Sequence, residues 1–387
     1  MTVQIAVLKE TQPGERRLAM VPSVVSKLTK LGAELSMQSG AGDAIKLPDP
    51  LFEHVRFVAD PRQLVRDADI VLAVNAPPES IVRAMKPGGV LISFAYAAQH
   101  PELLRPLEEQ KVTCFAMELI PRITRAQSMD ALSSQAALAG YYASLLAAVH
   151  LGRILPMMTT AVGALRPARA LVMGLGVAGL QAAATLHRLG AIVEAYDVRP
   201  ETKEQAVSLG AKFVDTGVDA RGEGGYAREL TAEEKAKVAG VVTAHIQAAD
   251  IVVTTAAVPG RAAPKLISKS QVEGMKSGAV IVDLAAEGGG NCECTEPGHT
   301  TEVGSVTIVA PLNVPSLLGE HASELYARNQ FNLLKLMIKD GALALDWTDE
   351  ILVKSVLTRD GQIVNEAARK MVEAMATTAE ERRHDGN

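Results

Sequence analysis

The residues best placed to do chemistry lie at positions 170–199, ALVMGLGVAGLQAAATLHRLGAIVEAYDVR. Gly174, Gly176 and Gly179 form a G-x-G-x-x-G turn between an apolar run of strand length and an Ala- and Leu-rich stretch with helical spacing. A second apolar run ends in Asp197, about 20 residues after the turn, where a carboxylate can accept hydrogen bonds from a nucleotide ribose. Strand, glycine turn, helix, strand and acid together predict dinucleotide binding, whereas the glycines alone would fit any glycine-rich turn of an α/β protein.

The residues of this unit each have a physical task in holding a nucleotide. Gly174 permits a tight turn, Gly176 lets the backbone approach a pyrophosphate, and Gly179 lets the helix pack close to the strand. The helix N–H groups then face the phosphates. The Asp197 carboxylate would repel a 2′-phosphate, which favours NAD(H) over NADP(H), although Arg199 is close enough in sequence to accommodate that phosphate.

A second polar stretch, PRITRAQSMDALSSQ at 121–135, precedes a long predicted helix. Asp130 or Ser133 could simply cap that helix. Alternatively, Arg122, Gln127 and Asp130 lie where two domains would face each other, and clefts between domains are preferred ligand sites. There these side chains could fix a nicotinamide carboxamide and exclude water, while the cofactor supplies the redox chemistry.

Three further segments are loop candidates. Residues 221–237 surround the lone aromatic Tyr226 with glycines and charges, as in an exposed loop or in a mobile lid over a nucleotide. Residues 254–260 and 288–294 are expected at the carboxyl edge of a sheet, where ligands bind in open α/β folds. The Cys292-x-Cys294 pair has no second ligand pair nearby, so no metal site is predicted.

Length and composition limit the function classes. A chain of 387 residues is expected to form two domains, and a net charge of −5 gives no basic footprint for nucleic acid. Three cysteines fit a reducing compartment. The N-terminus has the pattern of a strand, not of a signal peptide, and the most apolar stretch, at 136–149, is shorter than the ~20 residues of a membrane span. Direct membrane insertion is therefore not expected.

The elements that must position these residues alternate along the chain. Strands are predicted at 3–8, 34–37, 55–58, 70–74, 90–94 and 112–116, and long helices at 132–155 and 316–338. The predicted fold class is α/β, with two Rossmann-like, doubly wound parallel-sheet domains joined by long helices with a cleft between them. The first domain is expected to comprise residues 1–131 plus about 330–387, and the NAD(H)-binding domain residues 132–329.

Two short sequences occur twice. ADIV at 68–71 recurs at 249–252, and MKPGGV at 85–90 recurs as MKSGAV at 275–280. The repeat fits either two α/β units of similar design or a chance likeness between generic units.

Several of these stretches together resemble the soluble NAD(H)-binding component of proton-translocating nicotinamide nucleotide transhydrogenase. They are RITRAQSMDALSSQ, GLGVAGLQAAATLHRLGA followed by DVR, GGYARE, TTAAVPGRAAP, AAEGGGNC and NVPS, and the likeness covers nearly the whole chain. It implies direct hydride transfer between NAD(H) on this chain and NADP(H) on a partner subunit, the NAD(P)+ transhydrogenase reaction of the Si-side type. It also implies coupling to proton translocation by a membrane subunit, a homodimer, and a cytoplasmic location on the inner face of the membrane through those partners.

The resemblance implies roles for individual residues. At the nicotinamide end the catalytic positions are Arg122, Gln127, Asp130 and Ser133, with cofactor contacts also at Ser128 and Met129. The pyrophosphate and adenosine contacts are Gly174, Gly176, Val177, Gly179, Asp197, Val198 and Arg199. Further cofactor contacts are expected at Gly225, Tyr226, Ala256 and Ala257. Leu230 and Val238 stand where the family often has methionine and glutamine. Whether the Tyr226 loop closes over NAD(H) is therefore not predicted.

Two other functions compete with this interpretation. Alanine dehydrogenase, a cousin of the transhydrogenase, uses a lysine and a histidine in the first domain, where this chain has Asn75 and Tyr96. Without an ammonium group and an imidazole, oxidative deamination lacks its substrate-binding cation and its acid/base. A catalytically idle NAD-sensing module would bind NADH and transfer nothing.

Overall fold

The computed structural model describes residues 2–218, 231–257 and 262–372. The chain divides into two compact units after Gln135 and after Pro315. The second unit is therefore one continuous stretch, whereas the first is made from both ends of the chain.

The N-terminal segment of the first unit alternates strands and helices. Its strands are β1 (Gln4–Val7), β2 (Glu34–Gln38), β3 (Val55–Val58), β4 (Ile70–Asn75), β5 (Val90–Phe94) and β6 (Thr113–Ala116). Its helices are α1 (Pro22–Lys30), α2 (Pro61–Arg66), α3 (Glu79–Val82) and α4 (Leu104–Glu109). Pro22 and Pro61 begin their helices, where the missing N–H removes no helical hydrogen bond.

The middle of the chain begins with the long helix α5 (Ala131–His150), which ends earlier than predicted, and continues as the second unit. Its strands are β7 (Met158–Thr160), β8 (Gly163–Leu165), β9 (Arg169–Met173), β10 (Ile192–Tyr196), β11 (Lys212–Phe213), β12 (Ile251–Thr254), β13 (Val280–Asp283), β14 (Thr300–Val303) and β15 (Val306–Val309). Its helices are α6 (Val177–Arg188), α7 (Thr202–Ser208), α8 (Ala232–Ala248) and α9 (Lys269–Glu273).

The chain then returns to the first unit. This segment contains the helices α10 (Val314–Leu317), α11 (Gly319–Met337) and α12 (Glu350–Ser355). It also contains the strands β16 (Ile338–Lys339), β17 (Ala342–Leu343), β18 (Val356–Arg359) and β19 (Gln362–Ile363).

Each unit is built on its own twisted, mostly parallel sheet. The described strands of the first unit have the order β19-β18-β6-β5-β4-β1-β2-β3, and those of the second β11-β10-β9-β12-β13-β15-β14. Strands β4 and β12 are almost wholly buried, because helices cover both faces of a parallel sheet. The predicted α/β class with parallel sheets in two domains is confirmed. In each sheet the order reverses beside the first strand, between β1 and β4 and between β9 and β12, and ligands of such folds bind at that switch point.

The repeated ADIV and MKxG sequences make the same contacts in both units. The Asp69 carboxylate accepts hydrogen bonds from the backbone N–H at the start of β1 (2.9 Å) and from the Lys86 ammonium (2.6 Å). The Asp250 carboxylate accepts them from the backbone N–H at the start of β9 (2.8 Å) and from the Lys276 ammonium (3.0 Å). The repeat therefore marks one structural device, used once in each sheet.

Residues 316–338, predicted as one helix, form α10 and α11 with a break at Leu318 (φ −105°, ψ 41°). The Ser316 hydroxyl accepts a hydrogen bond from the backbone N–H of Arg16 (2.5 Å) and donates one to the Glu15 carboxylate (2.9 Å). The prediction of an unbroken helix is wrong because these contacts with the N-terminal segment of the chain fix the backbone at the break.

Helix α11 packs under the first sheet, and the predicted domain boundary near residue 330 falls inside it. Its fully buried Tyr326 donates a hydrogen bond to the carbonyl of Ala73 (3.0 Å), and the Gln330 amide donates to the carbonyls of Ala73 and Ile92 (3.2 Å each). Among the described helices none combines the length and apolarity needed to cross a membrane.

Candidate functional site

The turn after β9 brings the three fingerprint glycines together. Gly174 has φ +93°, a left-handed conformation that residues with a Cβ rarely adopt. A Cβ at Gly179 would lie 1.8 Å from the Gly174 carbonyl oxygen, so the first turn of α6 packs directly on the glycine turn. A Cβ at Gly176 would meet no atom within 4 Å in the part of the chain that the structure describes. Close packing therefore requires Gly174 and Gly179, whereas Gly176 borders open space.

The N-terminus of α6 is open to an anion. The helix begins at Val177 after an extended Gly176, and no side chain of the described residues caps its first N–H groups. Free N–H groups at a helix N-terminus, together with the helix dipole, form a ready-made anion site. Uncapped N–H groups beside a glycine turn at the switch point fit the pyrophosphate of a dinucleotide.

The carboxylate of Asp197, just past β10, is fully engaged within the chain. It accepts hydrogen bonds from the backbone N–H groups of Leu175 (2.6 Å) and Arg199 (2.8 Å). The Arg199 guanidinium adds Nε at 3.0 Å and Nη2 at 2.9 Å. Burial alone would raise the pKa of Asp197, but these hydrogen bonds hold it below its ordinary value. Asp197, which favours NAD(H), and Arg199, which could accommodate a 2′-phosphate, thus form one ion pair. In this pair the carboxylate is 6% exposed and the guanidinium 48%. Val198, between them, is exposed.

Asp130 and Ser133 bind each other at the start of α5. The Asp130 carboxylate accepts hydrogen bonds from the Ser133 backbone N–H (2.8 Å) and hydroxyl (2.6 Å). This is the helix-capping arrangement that the sequence left open. The proposed contact of these two residues with a carboxamide stays a prediction.

The other predicted nicotinamide residues lie on a 3-10 helix, Thr124–Met129, or just before it. Arg122 and Gln127 are exposed, and their side chains make no hydrogen bond within the portion of the chain that the structure describes. Ser128 is also exposed, but the Met129 side chain is buried in the core of the first unit. Met129 can therefore contribute only its backbone to a ligand site.

Two asparagines of α11, missed at the sequence level, hold this loop. The Ser128 carbonyl accepts hydrogen bonds from the side-chain amides of Asn329 (2.9 Å) and Asn332 (3.0 Å). The side-chain oxygen of Asn329 in turn accepts a hydrogen bond from the Ser134 hydroxyl (2.8 Å). Asparagine on a helix carries no signal of such a contact, because the partner lies about 200 residues away.

The loop after β12 lies against the fingerprint turn. The Thr255 hydroxyl donates a hydrogen bond to the Gly174 carbonyl (2.9 Å). Ala256 is half-buried and its backbone N–H donates to the Asn291 side chain (3.0 Å), while Ala257 is exposed. Ala256 therefore lies beside Gly174, and Ala257 is the next residue of the same loop.

The remaining residues singled out in the sequence lie partly inside and partly outside the described ranges. Gly225, Tyr226 and Leu230 lie outside the described residues. Val238 is half-buried in α8 against the core of the second unit. Cys292 is fully buried, which raises the pKa of its thiol to about 11. No group of three or more His, Cys, Asp or Glu in the described ranges could hold a metal ion.

A buried polar cluster occupies the switch point of the first unit, and sequence reasoning missed most of it. The Asn75 amide donates hydrogen bonds to the carboxylates of Glu10 and Glu15 (3.0 Å each), and Arg17 pairs with Glu15 (2.6 Å) and with the Gln135 carbonyl (3.2 Å). Burial raises the pKa of Glu10 to about 7. Burial acts in the same direction on Glu15, but the hydrogen bonds and charge of Arg17 lower its pKa to about 2.

Two glycine substitutions test how tightly the turn is packed at each position. Gly179→Ala is expected to destabilise the second unit by about 3 kcal/mol, because the new methyl overlaps the Gly174 carbonyl. The methyl of Gly176→Ala meets no neighbour among residues 2–218, 231–257 and 262–372, and the substitution is expected to change stability by only about 0.5 kcal/mol. Thermal unfolding of both variants checks this, and equal midpoints would contradict the packing described for Gly179.

Comparisons with known proteins show the family to which the chain belongs. The family profiles "Alanine dehydrogenase/PNT, N-terminal domain" and "Alanine dehydrogenase/PNT, C-terminal domain" match residues 6–139 and 143–366. The chain is 43% identical over 378 residues to an alpha-subunit chain of NAD(P) transhydrogenase from Rhodospirillum rubrum, covering 94% of this chain and 98% of that protein. It is 40% identical to NAD(P) transhydrogenase subunit alpha of Haemophilus influenzae, over 92% of this chain and 71% of the relative. The crystal structure of transhydrogenase from Sinorhizobium meliloti matches with a TM-score of 0.83 and 41% identity, over 94% of this chain and 99% of that one. The chain therefore belongs to the alanine dehydrogenase/PNT family, together with these transhydrogenase alpha subunits.

Proposed function

We propose that this chain is the NAD(H)-binding subunit of a proton-translocating transhydrogenase. In this function a hydride passes directly between NAD(H) on this chain and NADP(H) on a partner subunit, and a membrane proton-channel subunit couples the transfer to proton movement. The observation that carries the proposal is the glycine turn at the switch point of the second sheet, with an uncapped helix beside it and the Asp197 carboxylate at the end of β10. Relatives that are alpha subunits of NAD(P) transhydrogenase support it.

The adenosine half of NAD(H) would be held by the chain's own fixed groups. The N–H groups of α6, beginning at Val177, would bind the pyrophosphate, and Gly176 would let it approach. Asp197 would accept hydrogen bonds from the ribose diol once the Arg199 guanidinium has moved aside. The carboxylate would repel a 2′-phosphate, which supports a preference for the unphosphorylated nucleotide.

Nucleotide preference should depend on the Asp197–Arg199 pair. Asp197→Asn removes the charge that repels a 2′-phosphate and releases Arg199, so we expect the dissociation constant for NADH to rise about tenfold and that for NADPH to fall. Titration of the nucleotide fluorescence measures both constants. Arg199→Gln is the matched control and should leave NADPH binding weak. A wild-type chain that prefers NADPH would refute the proposed function.

The nicotinamide half would be oriented by the loop at 122–133. Nicotinamide supplies the hydride chemistry, and the protein contributes geometry and the exclusion of water. Arg122 and Gln127 are exposed and without side-chain partners among the described residues, so they are available to a ligand. Arg122 and the Asp130–Ser133 pair would orient the carboxamide, and Gln127 would reach toward the second nucleotide. Gly225 and Tyr226 are proposed as further contacts of the bound nucleotide.

Gln127 should affect the transfer step more than nucleotide binding. Gln127→Asn shortens the side chain by one methylene, and we expect hydride transfer to slow about tenfold while the NADH dissociation constant changes less than about twofold. Stopped-flow transfer from NADH to an NADP+ analogue on the partner subunit measures the rate. The same substitution at the exposed Gln362 of β19 is the control. An unchanged rate would remove Gln127 from the mechanism.

The partner arrangement has a direct test. Mixing this chain with an active NADP(H)-binding subunit should give NADH-dependent reduction of the NADP+ analogue, and no transfer would reject the proposal.

A chain that acts in this way would lie in the cytoplasm on the inner face of the membrane, attached through its partner subunits.

The proposal includes a homodimer, and one exposed hairpin supports it. Strands β7 and β8 pair only with each other among the described strands, and every residue of both is exposed. Its apolar side chains lie in water, with Met157 71%, Val162 99% and Leu165 52% exposed. A two-stranded hairpin is marginal alone, so a second copy of the chain is the proposed cover.

Charge in the hairpin should weaken the dimer. Val162→Asp is expected to raise the dimer dissociation constant at least about tenfold, because a buried unpaired carboxylate disfavours association. Sedimentation velocity measures it, with Val207→Asp, an exposed valine of α7, as the control. Equal sedimentation of both variants with the wild type would place the dimer contact elsewhere.

The rival function, an alanine-type dehydrogenase, meets an obstacle in the first unit. Asn75 ends β4 at the position where an alanine dehydrogenase is expected to have its lysine, and the Asn75 amide is bound to Glu10 and Glu15. Tyr96 stands in place of the histidine and stacks on Phe94, with 5.4 Å between the ring centres. NADH oxidation by the chain alone with pyruvate and ammonia would support this rival, whereas NADH binding without transfer to any partner would support a sensing module.

A further inference from the structure

The loop at 284–295 contains a polar side chain that no proposed contact uses. Asn291 is completely buried, at 0% exposure, although amide side chains are mostly found at protein surfaces. It belongs to the GGGNCEC sequence, for which the sequence offered no function beyond a loop at the sheet edge.

The Asn291 side chain closes the base of the loop that follows β12. Its Oδ1 accepts a hydrogen bond from the Ala256 backbone N–H (3.0 Å). Its Nδ2 donates to the backbone carbonyls of Ala256 (2.8 Å) and Pro264 (2.8 Å). The amide therefore binds both ends of the loop and satisfies three backbone groups at once.

The carboxylate of Asp283, also 0% exposed, holds Asn291 in place. It accepts five hydrogen bonds, all from N–H or O–H donors at 2.6–3.0 Å. The donors are the backbone N–H groups of Ala285, Asn291 and Cys292 and the hydroxyls of Thr254 and Thr295. Because Asp283 ends β13, next to β12, the central strands of the sheet set the position of Asn291.

The loop held in this way forms one wall of the switch-point crevice. Thr255 donates its hydroxyl hydrogen bond to Gly174 (2.9 Å), and its backbone N–H donates to the Met173 carbonyl at the end of β9 (2.9 Å). Asp197 follows β10, the neighbouring strand on the other side of β9. The glycine turn therefore lies between the Asp197 side, expected to hold the adenosine, and the Thr255 side.

We propose that Asn291, held by Asp283, is a positioning residue for nucleotide binding. It fixes residues 255–257 against the glycine turn, so that this side of the crevice is already in place before the nicotinamide half of NAD(H) binds. This inference rests on the proposed function, because it assumes that the crevice binds NAD(H). Asn291 does not touch the ligand and acts only through the loop.

Asn291→Asp tests the inference with almost no change in side-chain size. The carboxylate can still accept from Ala256, but it cannot donate to the carbonyls of Ala256 and Pro264 and repels them. If the correct loop conformation falls to about a tenth of the population, the NADH dissociation constant rises about tenfold. AMP, which would occupy only the Asp197 side, should bind with its wild-type constant within about twofold.

A matched control separates positioning from a general loss of stability. Val272→Ala lies in α9 and in the same buried core, and should lower the melting temperature without changing either nucleotide constant. Thr255→Val removes only the hydroxyl bond to Gly174, keeps its shape, and should weaken NADH about threefold while sparing AMP. This second variant keeps the test open if Asn291→Asp does not fold.

The possible outcomes are distinct. Weaker NADH binding with unchanged AMP binding in a folded Asn291→Asp supports the inference, and the same result in Thr255→Val supports it if Asn291→Asp does not fold. Wild-type binding of both nucleotides by Thr255→Val and by a folded Asn291→Asp overturns it, as does an equal loss of both. A wild-type chain that does not bind NADH refutes the proposed function itself, and is recognised before any variant is made.

Discussion

The contact of the Gly179 backbone with the Gly174 carbonyl is the constraint on which the second unit depends. Because a Cβ at Gly179 would lie 1.8 Å from that oxygen, only glycine lets α6 begin this close to the end of β9. The approach leaves the first N–H groups of the helix at the carboxyl edge of the sheet. The neighbouring strands then bring Asp197 and Thr255 to the two sides of the same turn, and Asp283 and Asn291 keep the Thr255 side in place.

The two units share a frame but use its carboxyl edge differently. In both, an aspartate at the start of a strand binds the neighbouring strand and a lysine from the MKxG turn. In the second unit a glycine turn leaves the switch point open. In the first, KETQPGE follows β1, and Glu10, Glu15, Arg17 and Asn75 bind one another there, while Glu10 and Asn75 also line a cavity of about 300 Å³. The same architecture therefore carries a glycine turn at one switch point and a network of paired polar side chains beside a cavity at the other.

Local patterns predicted β1–β6, the glycine turn with its flanking strands β9 and β10, and the fold class, because apolar runs and glycines act within a few residues of each other. Short strands such as β7, β8, β11 and β16–β19 were not predicted. The sequence could not predict the contacts that complete the candidate site. Asn329 reaches Ser128 from α11, and Ser316 breaks a helix through contacts with Glu15 and Arg16, each across at least about 200 residues of chain. Even the short-range Asp197–Arg199 pair was missed, since spacing alone does not show whether a guanidinium points to a ligand or to its neighbour.

That ion pair explains how a buried carboxylate can remain charged before the neutral ribose diol of a nucleotide binds to it. A carboxylate that is 6% exposed and unpaired would be strongly disfavoured, because water could no longer solvate its charge. Arg199 and two backbone N–H groups supply that solvation in the free chain. A ribose diol offers two hydroxyl donors, so binding exchanges the hydrogen bonds of the guanidinium for those of the diol and leaves the carboxylate hydrogen-bonded. The exposed guanidinium can then turn to solvent, where a cation is stable. Selectivity for NAD(H) over NADP(H) then depends on which group replaces the Arg199 guanidinium at Asp197. The ribose diol brings two hydrogen-bond donors, whereas a 2′-phosphate would bring a second anion next to the carboxylate.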